Sequence, residues 1–254
     1  MTLIFDLDGT LLDTLGDLHA AVNHALQEYG MPTHSMEEVR WMVGNGVRLL
    51  MQRAVPEGTD EALFERVFAS FRTYYAQHNL DTTRPYDGIP ELLNELHRRG
   101  IPMAVVSNKM DSATRPLVQR FFGQWIDVAI GEREGMRRKP APDMVHEAIR
   151  LLGVRQVHQV HQVHQVHQVH QVHQVRQVHQ VHQVRQVHQV RQVHQGCPEE
   201  YIYVGDSDVD IQTAQAAALP CLSVLWGFRD REFLTAHGAT QFVQTPADIL
   251  RLIP

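Results

Sequence analysis

Met1-Thr2-Leu3-Ile4-Phe5-Asp6-Leu7-Asp8-Gly9-Thr10 is the stretch around which the rest of the chain is organised. Leu3 to Phe5, with Leu7, read as a short buried strand. The strand runs into two aspartates one residue apart and then a Gly-Thr turn. Side chains alternate along a strand, so Asp6 and Asp8 share a face if the strand continues through them. The Gly9-Thr10 turn brings both carboxylates towards one point. Two carboxylates held together repel unless a cation or a shared proton relieves them. The pair therefore points to a divalent metal, against the plainer reading of an Asp-rich turn without chemistry.

The sequence beyond Thr14 changes character twice. Residues 15–80 carry helical spacing and no strand signal. Leu18, Val22, Ala25, Leu26 and Tyr29 recur at three- and four-residue steps until Gly30 and Pro32 stop the first helix. Ser35 heads a second helix with Glu37 and Glu38 in its first turn. Gly44-Asn45-Gly46 closes that helix, a third follows from Val47 to Val55, and an amphipathic fourth runs from Thr59 to about Asn79. From Tyr86 onward strands and helices alternate. Strands are expected at Ile101–Val106, Ile126–Ile130, Tyr201–Val204 and Cys221–Leu225. Helices are expected at Gly88–Arg99, Ser112–Phe122, Pro142–Leu152 and Ile211–Ala218, with a closing helix near Ala247–Leu252. Alternation of this kind implies an α/β fold with a mostly parallel sheet covered on both faces.

The polar motifs fall just after the strands, at their carboxyl ends, where open α/β sheets bind ligands. They are Asp6 and Asp8, Ser107 with Asn108, Lys139 with Pro140, and Asp206-Ser207-Asp208-Val209-Asp210. In this order they resemble the haloacid-dehalogenase superfamily of phosphohydrolases. The stretches Asp13-Thr14-Leu15-Gly16-Asp17-Leu18, Val43-Gly44-Asn45-Gly46, Pro85-Tyr86-Asp87-Gly88, Val106-Ser107-Asn108-Lys109 and Arg138-Lys139-Pro140-Ala141-Pro142 look most like its phosphoglycolate phosphatase family. The resemblance implies a Rossmann-like core over residues 1–14 and 81–254 and a helical C1 cap over residues 15–80.

It also implies Mg²⁺ as cofactor and a small phosphorylated metabolite as substrate. By the same resemblance, Asp6 is the nucleophile that forms an aspartyl-phosphate and Asp8 the acid/base. Ser107 and Lys139 hold the transferring phosphoryl group. The metal takes Asp6, the Asp8 backbone carbonyl and Asp206, with Asp210 in close support. Such a set suits Mg²⁺, which prefers oxygen ligands and is commonly held by one or two carboxylates plus substrate phosphate. Some residues keep two readings at this point. Asn108 either contacts phosphate or shapes the turn, and Gly44-Asn45-Gly46 is either a helix–helix turn or a backbone wall over the substrate. Ser107 is otherwise a helix N-cap, and Asp208 reads as a cap or surface residue. Alternatives within the fold are a pyrophosphatase or a sugar phosphomutase. A dehalogenase is disfavoured because Asp8 is the acid/base that a phosphatase needs.

Composition excludes other classes. With 254 residues, 43% hydrophobic and 20% charged, the chain suits one large α/β unit or two smaller ones. No apolar run approaches the roughly 18 residues of a membrane span. No signal peptide is read at the amino end, and Cys197 and Cys221 read as free thiols, which fits a cytoplasmic chain. A net charge of −6 argues against nucleic-acid binding through a basic surface.

One segment stands apart. Residues 154–195 repeat Val-X-Gln fourteen times, X being His ten times and Arg four times. Outside it the other 212 residues carry 19 basic and 29 acidic groups, so the repeat masks a more acidic host. A period of three matches neither the 2.0 of a strand nor the 3.6 of a helix. A helical projection is the favoured expectation, with disorder or a β-solenoid as alternatives. The tract reads as a low-complexity expansion between a helix and the amino end of a strand. The competing reading is a module for self-association, or for Zn²⁺, Ni²⁺ or Cu²⁺ through its histidines.

Overall fold

The computed structural model describes residues 1–126, 128–153 and 201–253; the Val-X-Gln repeat and Cys197 lie outside the described residues. β1 (Thr2–Phe5) is the apolar opening stretch, buried at every position. It pairs in parallel with β4 (Met103–Met110) on one side and β6 (Tyr201–Gly205) on the other, with Leu3 opposite Met103 and Ile202. With β5 (Val128–Glu132), β7 (Cys221–Val224) and β8 (Phe242–Val243) these form a six-stranded parallel sheet in the order β5-β4-β1-β6-β7-β8.

The two-residue period of β1 sorts its side chains between the faces. Leu3 and Phe5 join Leu92, Leu93 and Leu96 of α5 (Ile89–Arg98), Leu117, Val118 and Phe122 of α6 (Asp111–Phe122), and Ile249 of α10 (Pro246–Leu252). Ile4 points the other way, to Met144, Val145, Ala148 and Leu152 of α7 (residues 143–153) and Ala214 of α8 (Asp208–Ala216). Each of the larger of these side chains contributes roughly 1.5–3 kcal/mol by leaving water. That burial on both faces makes β1 the fixed axis of the sheet.

Between β2 (Leu12–Asp13) and β3 (Arg84–Pro85) the chain builds α1 (Leu15–Glu28), α2 (Met36–Met42), α3 (Val47–Ala54) and α4 (Glu61–His78). These helices share a separate apolar cluster that includes Leu18, Val22, Leu26, Leu50, Phe64 and Phe71. β2 and β3 pair antiparallel, Leu12 with Pro85 and Asp13 with Arg84, so the chain leaves the sheet and returns along one ribbon. Buried Asp17 ties the two passes together: Oδ1 accepts from the Thr82 backbone N–H at 2.8 Å and Oδ2 from that of Thr83 at 3.0 Å. Ser35 heads α2 in a reciprocal capping box with Glu38.

The structure departs from the sequence expectation in several places. β4 runs to Met110 rather than ending at Val106, with a register shift against β5 between those two residues. Ser107 therefore lies within a strand and heads no helix; Met110 stands at the head of α6. α8 begins at Asp208, because Asp210 Oδ2 accepts from both the Ser207 backbone N–H at 3.1 Å and its hydroxyl at 2.6 Å. That polar run is a helix start, where the sequence reading gave a loop. Four elements were unforeseen: the two-residue strands β2, β3 and β8, and α9 (Arg231–Ala236), headed by Asp230. All are too short to show a period.

Candidate active site

The sheet order fixes where a site can form. From β1 the chain winds towards β4 and β5, and from β6 it winds towards β7 and β8. Connections that diverge from adjacent strands leave a crevice at their carboxyl ends. Asp6 follows β1 there and Asp206 follows β6. Together with Asp210 from the first turn of α8, they offer carboxylate oxygens within 4.8 Å of one another.

Lys139, from the loop after β5, enters the same group. Its Nζ donates to Asp6 Oδ1 at 2.7 Å, to Asp210 Oδ1 at 2.7 Å and to the Tyr203 hydroxyl oxygen at 3.1 Å. Asn108 fixes the loop that aims it: Oδ1 accepts from the Lys139 N–H at 2.8 Å, and Nδ2 donates to the Lys139 carbonyl at 3.0 Å. Asn108 thus shapes the turn, while also lining the cavity. Asp206 accepts from the Phe228 N–H at 2.7 Å and from the Thr10 hydroxyl at 3.2 Å. Such close approach needs glycine. A Cβ on Gly9 would stand 2.3 Å from Asp206 Oδ2, and one on Gly227 would stand 2.4 Å from the Asp206 Cβ.

Asp8 lies apart from the three-carboxylate group. Its two oxygens accept from Lys109 Nζ at 3.0 and 3.2 Å. Ser107 Oγ accepts from the Lys109 N–H at 3.2 Å. The cavity over these residues has a free interior of about 70 Å³ and is roofed by Gly44, Asn45, Gly46 and Leu50 of the helical bundle. At 10–15 Å³ per water, that is room for roughly five to seven waters, which suits a phosphate-sized group and a short leaving group. All three residues of the roof turn have positive φ, 122° for Gly44, 61° for Asn45 and 85° for Gly46, so the turn presents its backbone to the cavity. The structure brings Asp6, Asp8, Ser107, Asn108, Lys139, Asp206 and the Gly44-Asn45-Gly46 turn to one cavity. Asp210 stands behind it, against Lys139.

The charges do not balance. Burial pushes the Asp6 carboxyl well above the usual carboxylate range; Asp210 adds to the rise, and Lys139 pulls against it. Burial, then Asp210, raises Asp206 to about 7, against the pull of the Phe228 N–H, Arg229 and Thr10. Burial disfavours the Lys139 ammonium, but Asp210 and Asp6 more than reverse this and hold it charged. Three carboxylates against one lysine make a group that could hold a further cation. The donors are hard oxygens, as Mg²⁺ requires.

Sequence reasoning missed the partners that reach the site from far along the chain. Lys109 holds Asp8, Tyr75 backs Lys109, and Tyr203 flanks Lys139. Arg229 donates to the Arg40, Trp41 and Val43 carbonyls at the end of α2, at 2.8, 3.3 and 2.6 Å. The same loop seats the Phe228 ring in the apolar cluster of the bundle. It therefore joins Asp206 to the roof turn. The Trp226-Gly227-Phe228-Arg229 stretch carries no period or motif that would have revealed this.

The profile of the haloacid dehalogenase-like hydrolase family matches residues 3–166, more than half of the chain. The chain belongs to that family. It is 31% identical to the phosphoglycolate phosphatase of Pseudomonas syringae pv. tomato over 99% of its own length and 78% of the relative's. It is 26% identical to that of Aquifex aeolicus, over 99% and 95% respectively. A solved structure of a candidate phosphoglycolate phosphatase from Lactobacillus delbrueckii subsp. bulgaricus superposes with a TM-score of 0.78 at 31% identity, covering 99% of this chain and 97% of that one. A haloacid dehalogenase-like hydrolase from Streptococcus pneumoniae, at 19% identity and a TM-score of 0.74, shares the fold over 100% and 98% of the two chains.

Proposed function

We propose that this hydrolase is a Mg²⁺-dependent phosphatase of a small phosphorylated metabolite, 2-phosphoglycolate first, acting through an aspartyl-phosphate on Asp6. The observation that carries this reading is the buried Lys139 ammonium, 2.7 Å from both Asp6 and Asp210, beside Asp206. The names and coverage of the curated relatives support the substrate. The absence of an apolar helix long enough to cross a membrane among the described residues is compatible with a cytoplasmic setting.

Asp6 and Asp206, with the Asp8 backbone carbonyl, would hold Mg²⁺. Asp210 supports them through Lys139, since its own oxygens are engaged by Lys139, Tyr203 and Ser207. When bound, the ion screens the negative charge between carboxylate and phosphate. An Asp6 oxygen bonds to phosphorus as the bond from phosphorus to the leaving oxygen breaks. Asp8 gives that oxygen its proton. Ser107 and Lys139 hold the phosphoryl oxygens, and Gly44-Asn45-Gly46 closes over the leaving group. Asp8 then takes a proton from the water that attacks phosphorus, which frees phosphate and restores Asp6. Residues 15–80 serve as cap to the core of residues 1–14 and 81–254.

A panel of phosphate monoesters, pyrophosphate and hexose phosphates, assayed with Mg²⁺, tests this. Phosphoglycolate should release phosphate with the highest kcat/KM. Release from pyrophosphate alone, or isomerised sugar phosphate without free phosphate, would reject the reading. The deletion of residues 154–195 belongs in the same panel. The described chain re-enters the sheet at Tyr201, the amino end of β6, while Asp206 lies beyond its carboxyl end. Five strand residues separate the two by roughly 17 Å. Unchanged kcat/KM is expected, and a loss above about threefold, outside the ±0.5 kcal/mol of uninvolved sites, would tie the repeat to catalysis.

The metal assignment predicts a pH-dependent stabilisation. The folded pKa of Asp206 is raised to about 7, so what this group adds to stability is full below its unfolded value near 3.8. That contribution is lost as pH rises through 7. Mg²⁺ binds the ionised form and offsets the loss. The difference in Tm between Mg²⁺ and EDTA should therefore grow from pH 5 to pH 8. At 100 times the Kd it should reach roughly 5–10 °C. A difference that stays flat with pH would count against Asp206 as a ligand.

A further inference from the structure

Lys109 and Tyr75 have no part in the chemistry above, yet Lys109 supplies the side-chain hydrogen bonds of the Asp8 carboxylate among the described residues, and Tyr75 in turn holds Lys109. Lys109 lies in β4 and Tyr75 in α4, so the pair joins the sheet to the helical bundle. Lys109 Nζ reaches Asp8 Oδ1 at 3.0 Å and Oδ2 at 3.2 Å, and donates to the Tyr75 hydroxyl oxygen at 2.6 Å. It also stands 4.9 Å from the centre of the Tyr75 ring. Both residues are buried.

The lysine is aimed as well as buried. Its N–H donates to Ser107 Oγ at 3.2 Å, and its carbonyl accepts from the Thr114 hydroxyl at 3.1 Å, which fixes the backbone on both sides. A buried ammonium needs partners for its N–H groups. Asp8 occupies one side and Tyr75 the other. A phenol contributed by the bundle therefore holds the ammonium from the side opposite Asp8. The fork on Asp8 has one of its anchors in the bundle and the other in the sheet.

We propose that Lys109 and Tyr75 are positioning residues that set the Asp8 carboxyl for proton transfer, with Tyr75 making that alignment depend on the seating of the helical bundle. The proposal rests on the reading of Asp8 as acid/base. It also separates Lys109 from Lys139: Lys139 serves the phosphoryl end, and Lys109 serves the leaving-group end.

The test uses kcat/KM, which reports steps up to departure of the leaving group, in the full chain with Mg²⁺. Three substrates are compared: 2-phosphoglycolate, ethyl phosphate and p-nitrophenyl phosphate. The first two have alkoxide leaving groups that need a proton, whereas p-nitrophenolate leaves without one. Tyr75→Phe should lower kcat/KM for both alkyl phosphates about tenfold, a fraction of the 10²–10⁴ a general acid supplies. The loss on p-nitrophenyl phosphate should be several-fold smaller. Lys109→Met should show the same split, more strongly. Equal losses on all three substrates would make the pair merely structural and overturn the proposal. So would a rise in KM confined to phosphoglycolate, which would make Lys109 a contact for the substrate's carboxylate. Asp8→Asn is the control. If it shows no split, the acid/base reading itself fails; if it splits and Tyr75→Phe does not, only the positioning proposal fails.

Discussion

Asp6→Asn is expected to lower turnover by on the order of 10⁴-fold or more, the scale on which loss of a nucleophile is felt, while the protein stays folded. The amide is nearly isosteric, and its oxygen can still accept from Lys139, which keeps Asp210 and Tyr203 as further partners. What disappears is the anion that attacks phosphorus and one of the ligands for Mg²⁺. Burial and Asp210 already disfavour the ionised Asp6. Replacing it with a neutral group should therefore leave the Tm in EDTA unchanged or raised, while the increase brought by Mg²⁺ shrinks. Acid-quenched wild-type enzyme should carry covalent phosphate, and the Asp6→Asn variant none. Full turnover in a folded variant would end the assignment of Asp6 as nucleophile.

The sequence disclosed the parts of this site that are local and concealed those that are not. Asp6 and Asp206 could be found because each follows a short apolar run that can only be a buried strand. A carboxylate directly after such a run lies at the sheet's ligand-binding edge. Lys139 could be found because prolines at 140 and 142 stiffen a loop that follows another strand. The contacts of Lys109 with Asp8, and of Arg229 with the α2 carbonyls, join residues about 100 and 190 positions apart. No local pattern encodes them. They arise once the bundle closes on the sheet. The same reason explains Phe228, which follows β7 in the chain while its ring completes the core of the bundle. The extension of β4 past Ser107 was hidden for a different reason. Ser-Asn-Lys is polar and reads as a loop, but neighbours along β5 and a register shift keep it extended. The fold class needed only strand and helix periods, so it was readable throughout; the reach of each element depended on its tertiary partners.

Lys139→Met is expected to damage both function and stability, and the two losses should respond differently to conditions. The methionine fills most of the space but brings no charge to a position held by Asp6, Asp210 and Tyr203. Catalysis loses the cation that holds the phosphoryl oxygens, so kcat/KM should fall about 10²–10³-fold, the scale of removing one group that stabilises the transition state. Arginine should not rescue it, because its planar fork is a poor substitute for an ammonium shared between two carboxylates. Breaking a buried ion pair from one side costs about 3–5 kcal/mol, since the remaining charge is left uncompensated. The sign of its pH dependence follows from Asp6. Burial and Asp210 already raise its pKa, and Lys139 opposes that rise. Without Lys139 the folded pKa climbs further, so the variant's deficit should be small in acid, where Asp6 is protonated, and should widen as pH rises. Mg²⁺ offers the carboxylates another cation. Chemical denaturation should therefore show a deficit that grows from pH 5 to pH 8 in EDTA and narrows when Mg²⁺ is added, while kcat/KM stays low in both. A deficit independent of pH and of Mg²⁺ would mean that Lys139 holds the loop by packing alone. Recovery of activity along with stability would mean that its only service is to balance charge.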